Sequence, residues 1–75
     1  MRQGENKRSA FKRLGTNRAN RIIKDISLLG NLSNRHNYSY TEDDVKSMFG
    51  AIEEEIHLAK SRYLVSLKRG RRIKL

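Results

Sequence analysis

The sequence predicts an all-α fold, an antiparallel hairpin of two long helices over about residues 9–29 and 42–69. Three observations predict it. Two apolar stripes recur at spacings of three and four. A strong helix start stands at Thr41, after a polar stretch. No alternating strand pattern, no internal repeat and no proline occurs in the 75 residues.

Residues 1–8 read as a basic, flexible arm. The first helix is expected to start near Ser9, whose hydroxyl can cap free backbone N–H groups. Gly15, Ala19, Ile22, Ile26 and Leu29 repeat at 4, 3, 4 and 3 and make one helix face. Phe11, Leu14 and Ile23 widen it. Gly15, Thr16, Asn17 and Asn20 form helices poorly, so a break near 15–17 is considered. Gly30 is expected to end the helix as a left-handed cap.

The second start is more sharply marked. Thr41 is the expected N-cap, with Asp44 where a capping box has Glu. Tyr40 and Val45 fit a hydrophobic staple. Glu42, Asp43 and Asp44 suit the positive end of the helix dipole. Val45, Phe49, Ile52, Ile56, Ala59 and Tyr63 then repeat at 4, 3, 4, 3 and 4, joined by Met48. Gly70 is the expected stop. Gly50, in mid-helix, is either a close-packing notch or a tolerated weak spot. Residues 9–69 thus form the hairpin domain, and 70–75, GRRIKL, a basic C-terminal tail.

The connection between Gly30 and Thr41, NLSNRHNYSY at 31–40, is long for a helix–helix link, which usually runs ~2–8 residues. Two readings stay open. Leu32, Tyr38 and Tyr40 fold over the end of the core, while the asparagines bond their own backbone in turns. Alternatively, Asn34, Arg35, His36, Asn37 and Tyr38 face a partner.

Charge narrows the function. The net charge is +9. Residues 1–24 carry eight Lys/Arg against one Glu, 25–59 two against seven acids, and 60–75 seven against none. Folding the chain into a hairpin brings the two basic ends together. Lys7, Arg8, Lys12, Arg13, Lys68, Arg69, Arg71 and Arg72 then form one pole, and Arg18, Arg21, Lys24, Lys60 and Arg62 extend it. Such density repels itself unless something anionic relieves it, so nucleic acid is the expected partner. Arg and Asn can also read base edges, which Arg13, Asn17, Arg18, Asn20, Arg21 and Lys24 supply on the first helix. A helix-turn-helix spacing is missing, because that motif uses a turn of ~3–4 residues. Aromatic RNA-binding signatures are missing too, which favours DNA over RNA.

Other classes fit less well. There is no cysteine, and two histidines are too few for a zinc site. Glu53 and His57 share a helix face, but without a nucleophile or phosphate loop they read as a solvated pair. The chain therefore reads as a non-enzyme without cofactor or metal. No run approaches ~20 apolar residues, so no membrane span is expected. The start lacks the apolar stretch of a secretion signal, which points to the cytoplasm and makes the NLS and NYS triplets chance glycosylation matches. The acidic centre fits poorly with an RNA-packaging component or a membrane-surface helix. Apolar residues off the main stripe, Leu58 and Leu64 and the YLVSL segment, suggest a homodimer or a larger partner.

Residues 17–60, and above all LGNLSNRHNYSYTEDDV at 29–45, resemble small basic proteins carried by plasmids and prophages of Gram-positive bacteria. The resemblance implies a mobile element, with roles such as gene control, replication, transfer or inhibition of host defence. It transfers no functional residue. Two functions are carried forward: a nucleic-acid-binding protein, and an inhibitor or adaptor docking on a host nucleic-acid enzyme such as a CRISPR-type nuclease.

Overall fold

The computed structural model describes residues 6–70, and its two helices and the turn between them leave no strand among those residues. Helix α1 spans Lys7–Gly30 and helix α2 spans Glu42–Gly70, with a short 3-10 turn at Asn31–Ser33. This is the all-α element order of a helical hairpin. The chain divides into two units, 1–39 and 40–75, and each is described by itself.

Helix α1 begins two residues before the expected boundary. Its cap is Asn6, not Ser9: the Asn6 side-chain oxygen accepts from the Ser9 backbone N–H at 2.7 Å. Ser9 thus supplies the donor of the third helical position instead of the acceptor. An Asn at that place is as good a cap as Ser, and it captures the chain one turn earlier. Lys7 and Arg8, expected in the arm, are therefore helical.

The helix is also continuous through residues 15–17. One glycine costs about 1 kcal/mol and each polar residue less. In a 24-residue helix, opening a gap means a second costly nucleation, which outweighs those penalties. A Cβ placed on Gly15 would lie 3.8 Å from the Phe11 ring, an ordinary contact.

Gly30 is not a left-handed cap. Its φ is −61° and ψ −28°, and no described residue has positive φ. The chain tightens into the 3-10 turn instead, and the Asn31 N–H points at the carbonyls of Ser27 and Leu28. Those carbonyls are the acceptors that a left-handed turn would otherwise satisfy.

The connection closes on Asn34. Its carbonyl accepts from Asn37 N at 3.1 Å and Tyr38 N at 3.0 Å. Its side chain accepts from His36 N at 2.9 Å. Asparagine is bonding its own backbone, as the turn reading expects. Leu32 and Tyr38 do not cover a core: they are 45% and 49% exposed.

Helix α2 opens on the expected capping box. Asp44 N donates to Thr41 Oγ1 at 3.0 Å, and Thr41 N donates to Asp44 Oδ2 at 2.8 Å. Tyr40 and Val45 are both half-buried, as a staple requires. Thr41→Ala removes the acceptor for Asp44 N, so urea denaturation followed by circular dichroism is expected to show a loss of about 1 kcal/mol. Combining it with Asp44→Ala costs less than the two separate losses, because the bonds support each other.

Gly50 lies opposite the apolar stripe, and a Cβ added there meets nothing within 4 Å. That favours the weak spot over the notch. Gly50→Ala is expected to stabilise the protein by up to about 1 kcal/mol in the same denaturation experiment.

No described residue is buried. The apolar stripes are present, but within each unit they remain at the surface: Ile22 is 54% exposed, Ile56 44% and Tyr63 57%. Helices of this length owe most of their stability to a covered apolar face.

Candidate nucleic-acid interface

The basic residues of α1 do not scatter evenly around the helix. At 3.6 residues per turn, Arg13, Asn17, Asn20, Arg21 and Lys24 fall on one face within about 100°. That face lies opposite the stripe of Gly15, Ala19, Ile22 and Ile26. All five side chains are exposed. From Arg13 to Lys24 the face runs about 16 Å along the axis. Lys7 and Arg18 stand between that face and the stripe, Lys12 at the far edge of the stripe and Arg8 in line with the stripe itself, all exposed and all helical. Between Lys7 and Gly30 there are seven Lys/Arg and one acid, Asp25.

The axial placement is equally telling. Helix α2 follows the dipole: Glu42, Asp43 and Asp44 occupy its first turn, Lys68 and Arg69 its last. Helix α1 does the reverse. Its first turn has no acid but holds Lys7 and Arg8, and its last turn has no basic residue. Cations at a helix N-terminus cost a few tenths of a kcal/mol at the surface. An anion at that end removes the penalty and gains from both charges and the dipole.

The second unit carries fewer cations. Lys60, Arg62, Lys68 and Arg69 are exposed on its C-terminal third, while its N-terminal half is acidic. Of the tail expected at 70–75, Gly70 is the last residue of α2, and Arg71, Arg72 and the rest lie outside the described residues. Comparison with protein-family models, with curated proteins and with solved structures finds no match.

In the connection, Asn34, Arg35, His36, Asn37 and Tyr38 are all exposed. The Asn34 side chain is committed to the turn through its bond from His36 N. His36, Asn37 and Tyr38 are thus presented by a turn whose own backbone bonds are made locally.

Among the described residues, no group of three His, Cys, Asp or Glu is placed to hold a metal ion. Glu53 and His57 are both exposed, and the His57 carbonyl accepts from Ser61 Oγ at 3.0 Å. That bond ties the Ser61 side chain to the helix backbone and leaves the His57 ring out of it. No described helix is long and apolar enough to cross a membrane.

Sequence reasoning missed two features. It grouped the cations by their position along the chain and overlooked the shared face of Arg13, Asn17, Asn20, Arg21 and Lys24. The signal was available as the 4, 3, 4 spacing of 13, 17, 20 and 24. The inverted dipole at Lys7 and Arg8 stays hidden while Ser9 is the expected cap, because both residues then precede the helix.

Proposed function

We propose that this protein is a small, non-catalytic nucleic-acid-binding protein of a mobile element, acting in the cytoplasm and preferring DNA over RNA. The observation that carries the proposal is the basic face of α1, exposed opposite the apolar stripe and poor in acids. Lysine and arginine on such a face contact phosphates, and the contact releases counterions. Arg13, Asn17, Asn20 and Arg21 add bidentate groups that can bond guanine and adenine edges if the helix enters a major groove. An α-helix fits that groove in B-form DNA, whereas the deep, narrow groove of A-form RNA excludes it. Lys68, Arg69, Arg71 and Arg72 supply further phosphate contacts, and the turn at 34–38 offers an aromatic and an imidazole for stacking.

The protein acts as a homodimer. Its apolar stripes need a cover, and a second copy supplies one of matching length. The test is fluorescence anisotropy with labelled duplex DNA, single-stranded DNA and structured RNA at fixed salt. Duplex DNA is expected to bind most tightly. Tighter binding to structured RNA overturns the DNA preference, and binding to none of them overturns the function.

A second reading draws on the far third of α2. Leu58, Leu64 and Val65 lie off the main stripe and are 45%, 59% and 52% exposed. Leu58 and Val65 line a shallow groove with Ser61, Arg62, Ser66 and Arg69. A protein that inhibits or adapts a host nucleic-acid enzyme, such as a CRISPR-type nuclease, would dock there. Polar replacements of Leu58, Leu64 and Leu67 separate the readings: they weaken a protein interface and leave phosphate-driven binding intact.

A further inference from the structure

We infer that α2 pairs with α2 of a second copy in an antiparallel coiled coil whose two-fold axis passes between residues 57 and 58. This deepens the self-association proposed above and is independent of the nucleic-acid reading.

The stripe of α2 keeps a strict period of 3.5. Phe49, Ile56 and Tyr63 occupy one seam position, and Val45, Ile52, Ala59 and Ser66 the other. Phe49 and Ile52 are half-buried by their own helix, while Ile56 and Tyr63 are 44% and 57% exposed. The seam therefore exists before any partner arrives, and it is uncovered.

The flanks of that seam determine the partner. Beside it on one side stand Glu53 and Lys60, and on the other Glu55 and Arg62, all four exposed. In an antiparallel pair, like flanks meet. With the axis between 57 and 58, Glu53 meets Lys60 of the second copy, and Glu55 meets Arg62 of the second copy. Two-fold symmetry repeats both, so four opposite-charge pairs frame the centre. The same register sets the acidic first turns, Glu42 to Asp44, toward the basic last turns with Lys68 and Arg69. A parallel pair would instead stack the acidic halves on each other and the basic ends on each other.

The seam layers agree. In the antiparallel register Phe49 faces Ser66, Ile56 faces Ala59, and Ile52 faces Tyr63. Two of those three layers join a large side chain to a small one, which evens the spacing between the helices. A parallel pair would stack Phe49 on Phe49 and Tyr63 on Tyr63, but Ala59 on Ala59 and Ser66 on Ser66. Bulky layers would then alternate with gaps. Charge and volume therefore select the same occupant in the same orientation.

The native chain has no cysteine, so a single Ser47→Cys change gives one labelling site per copy. Ser47 lies on the outer face of α2, and in the proposed register it is level along the axis with Lys68 of the second copy, on the opposite outer face. Spin labels on the full-length protein are then expected about 30 Å apart along the axis, against roughly 20 Å or less for a parallel pair. Sedimentation equilibrium supplies the second readout. Glu53→Lys with Glu55→Arg, and separately Lys60→Glu with Arg62→Glu, are each expected to weaken dimerisation by about tenfold or more. Mixing the two variants restores all four pairs and is expected to yield a heterodimer. That recovery rules out misfolding as the cause of the single-variant losses. A dimer with close Ser47 labels overturns the antiparallel register and leaves self-association standing. A native chain that stays monomeric, or variants that self-associate as the native chain does, overturns the pairing itself.

Discussion

Replacing Arg13, Arg21 and Lys24 together by glutamine is expected to lower affinity for duplex DNA by about two to three orders of magnitude at ~0.1 M salt. Each phosphate contact contributes a salt slope of about 0.9, which is close to tenfold in affinity at that salt. The three residues lie on one exposed face of α1, so the loss falls on a single binding surface. Glutamine keeps nearly the same helix propensity as lysine and arginine, so helicity measured by circular dichroism should hold. Lys46→Gln is the single-charge control. Lys46 belongs to the acidic half of α2 and not to the α1 face, and its loss should leave affinity within about twofold. A Lys46→Gln loss as large as one third of the triple replacement's, on a logarithmic scale, would mean that only total charge matters, and the face would lose its role.

The second large effect is structural. Ile56→Asp is expected to abolish dimerisation and the cooperative thermal transition. Ile56 is 44% exposed within its own unit and sits at the centre of the uncovered seam of α2. A carboxylate there has no basic partner in the layer it would enter, so covering it costs several kcal/mol. A loss of that size exceeds the change expected for surface replacements, which stay within about 0.5 kcal/mol. Ser47→Asp, on the outer face of the same helix, provides the comparison and should leave the transition unchanged. Sedimentation and calorimetry of both variants read the difference. Retention of the native melt by Ile56→Asp would mean that the seam stays in water.

Much of the fold was legible because it is encoded locally. The start of α2 depends on Thr41 and Asp44, three residues apart, and the sequence pattern names both bonds of the box. The stripes of both helices follow from periodicity alone. The errors also have local causes. Two caps three residues apart, Asn6 and Ser9, compete for the start of α1, and propensity ranks them equally. Only the bond from Ser9 N to Asn6 decides between them. At Gly30, a left-handed turn and a 3-10 turn satisfy the same carbonyls, so glycine alone does not choose. The weak formers at 15–17 were judged residue by residue, whereas helix cooperativity acts over the whole of Lys7–Gly30.

The candidate site was legible in part. The charge blocks identified the cations, and the expected residues on α1 are exposed as a binding role requires. Their arrangement into one face needed the unbroken helix, since a break at 15–17 would have rotated Arg13 away from Asn17, Asn20, Arg21 and Lys24. Of the two readings of the connection, the turn chemistry of asparagine is the part that local sequence encodes. Asn34 closes it by local bonds, and Leu32 and Tyr38 are left about half exposed.

The central claim is that the basic face of α1 contacts the phosphates of duplex DNA. The most direct measurement is the salt dependence of that binding, taken for the native protein and for the Arg13, Arg21 and Lys24 triple replacement side by side. A steep, linear fall of log affinity with log salt is expected for the native protein, with the slope reduced by about 2.7 in the triple variant. A shallow native slope, or the same slope for both proteins, would contradict phosphate binding by this face.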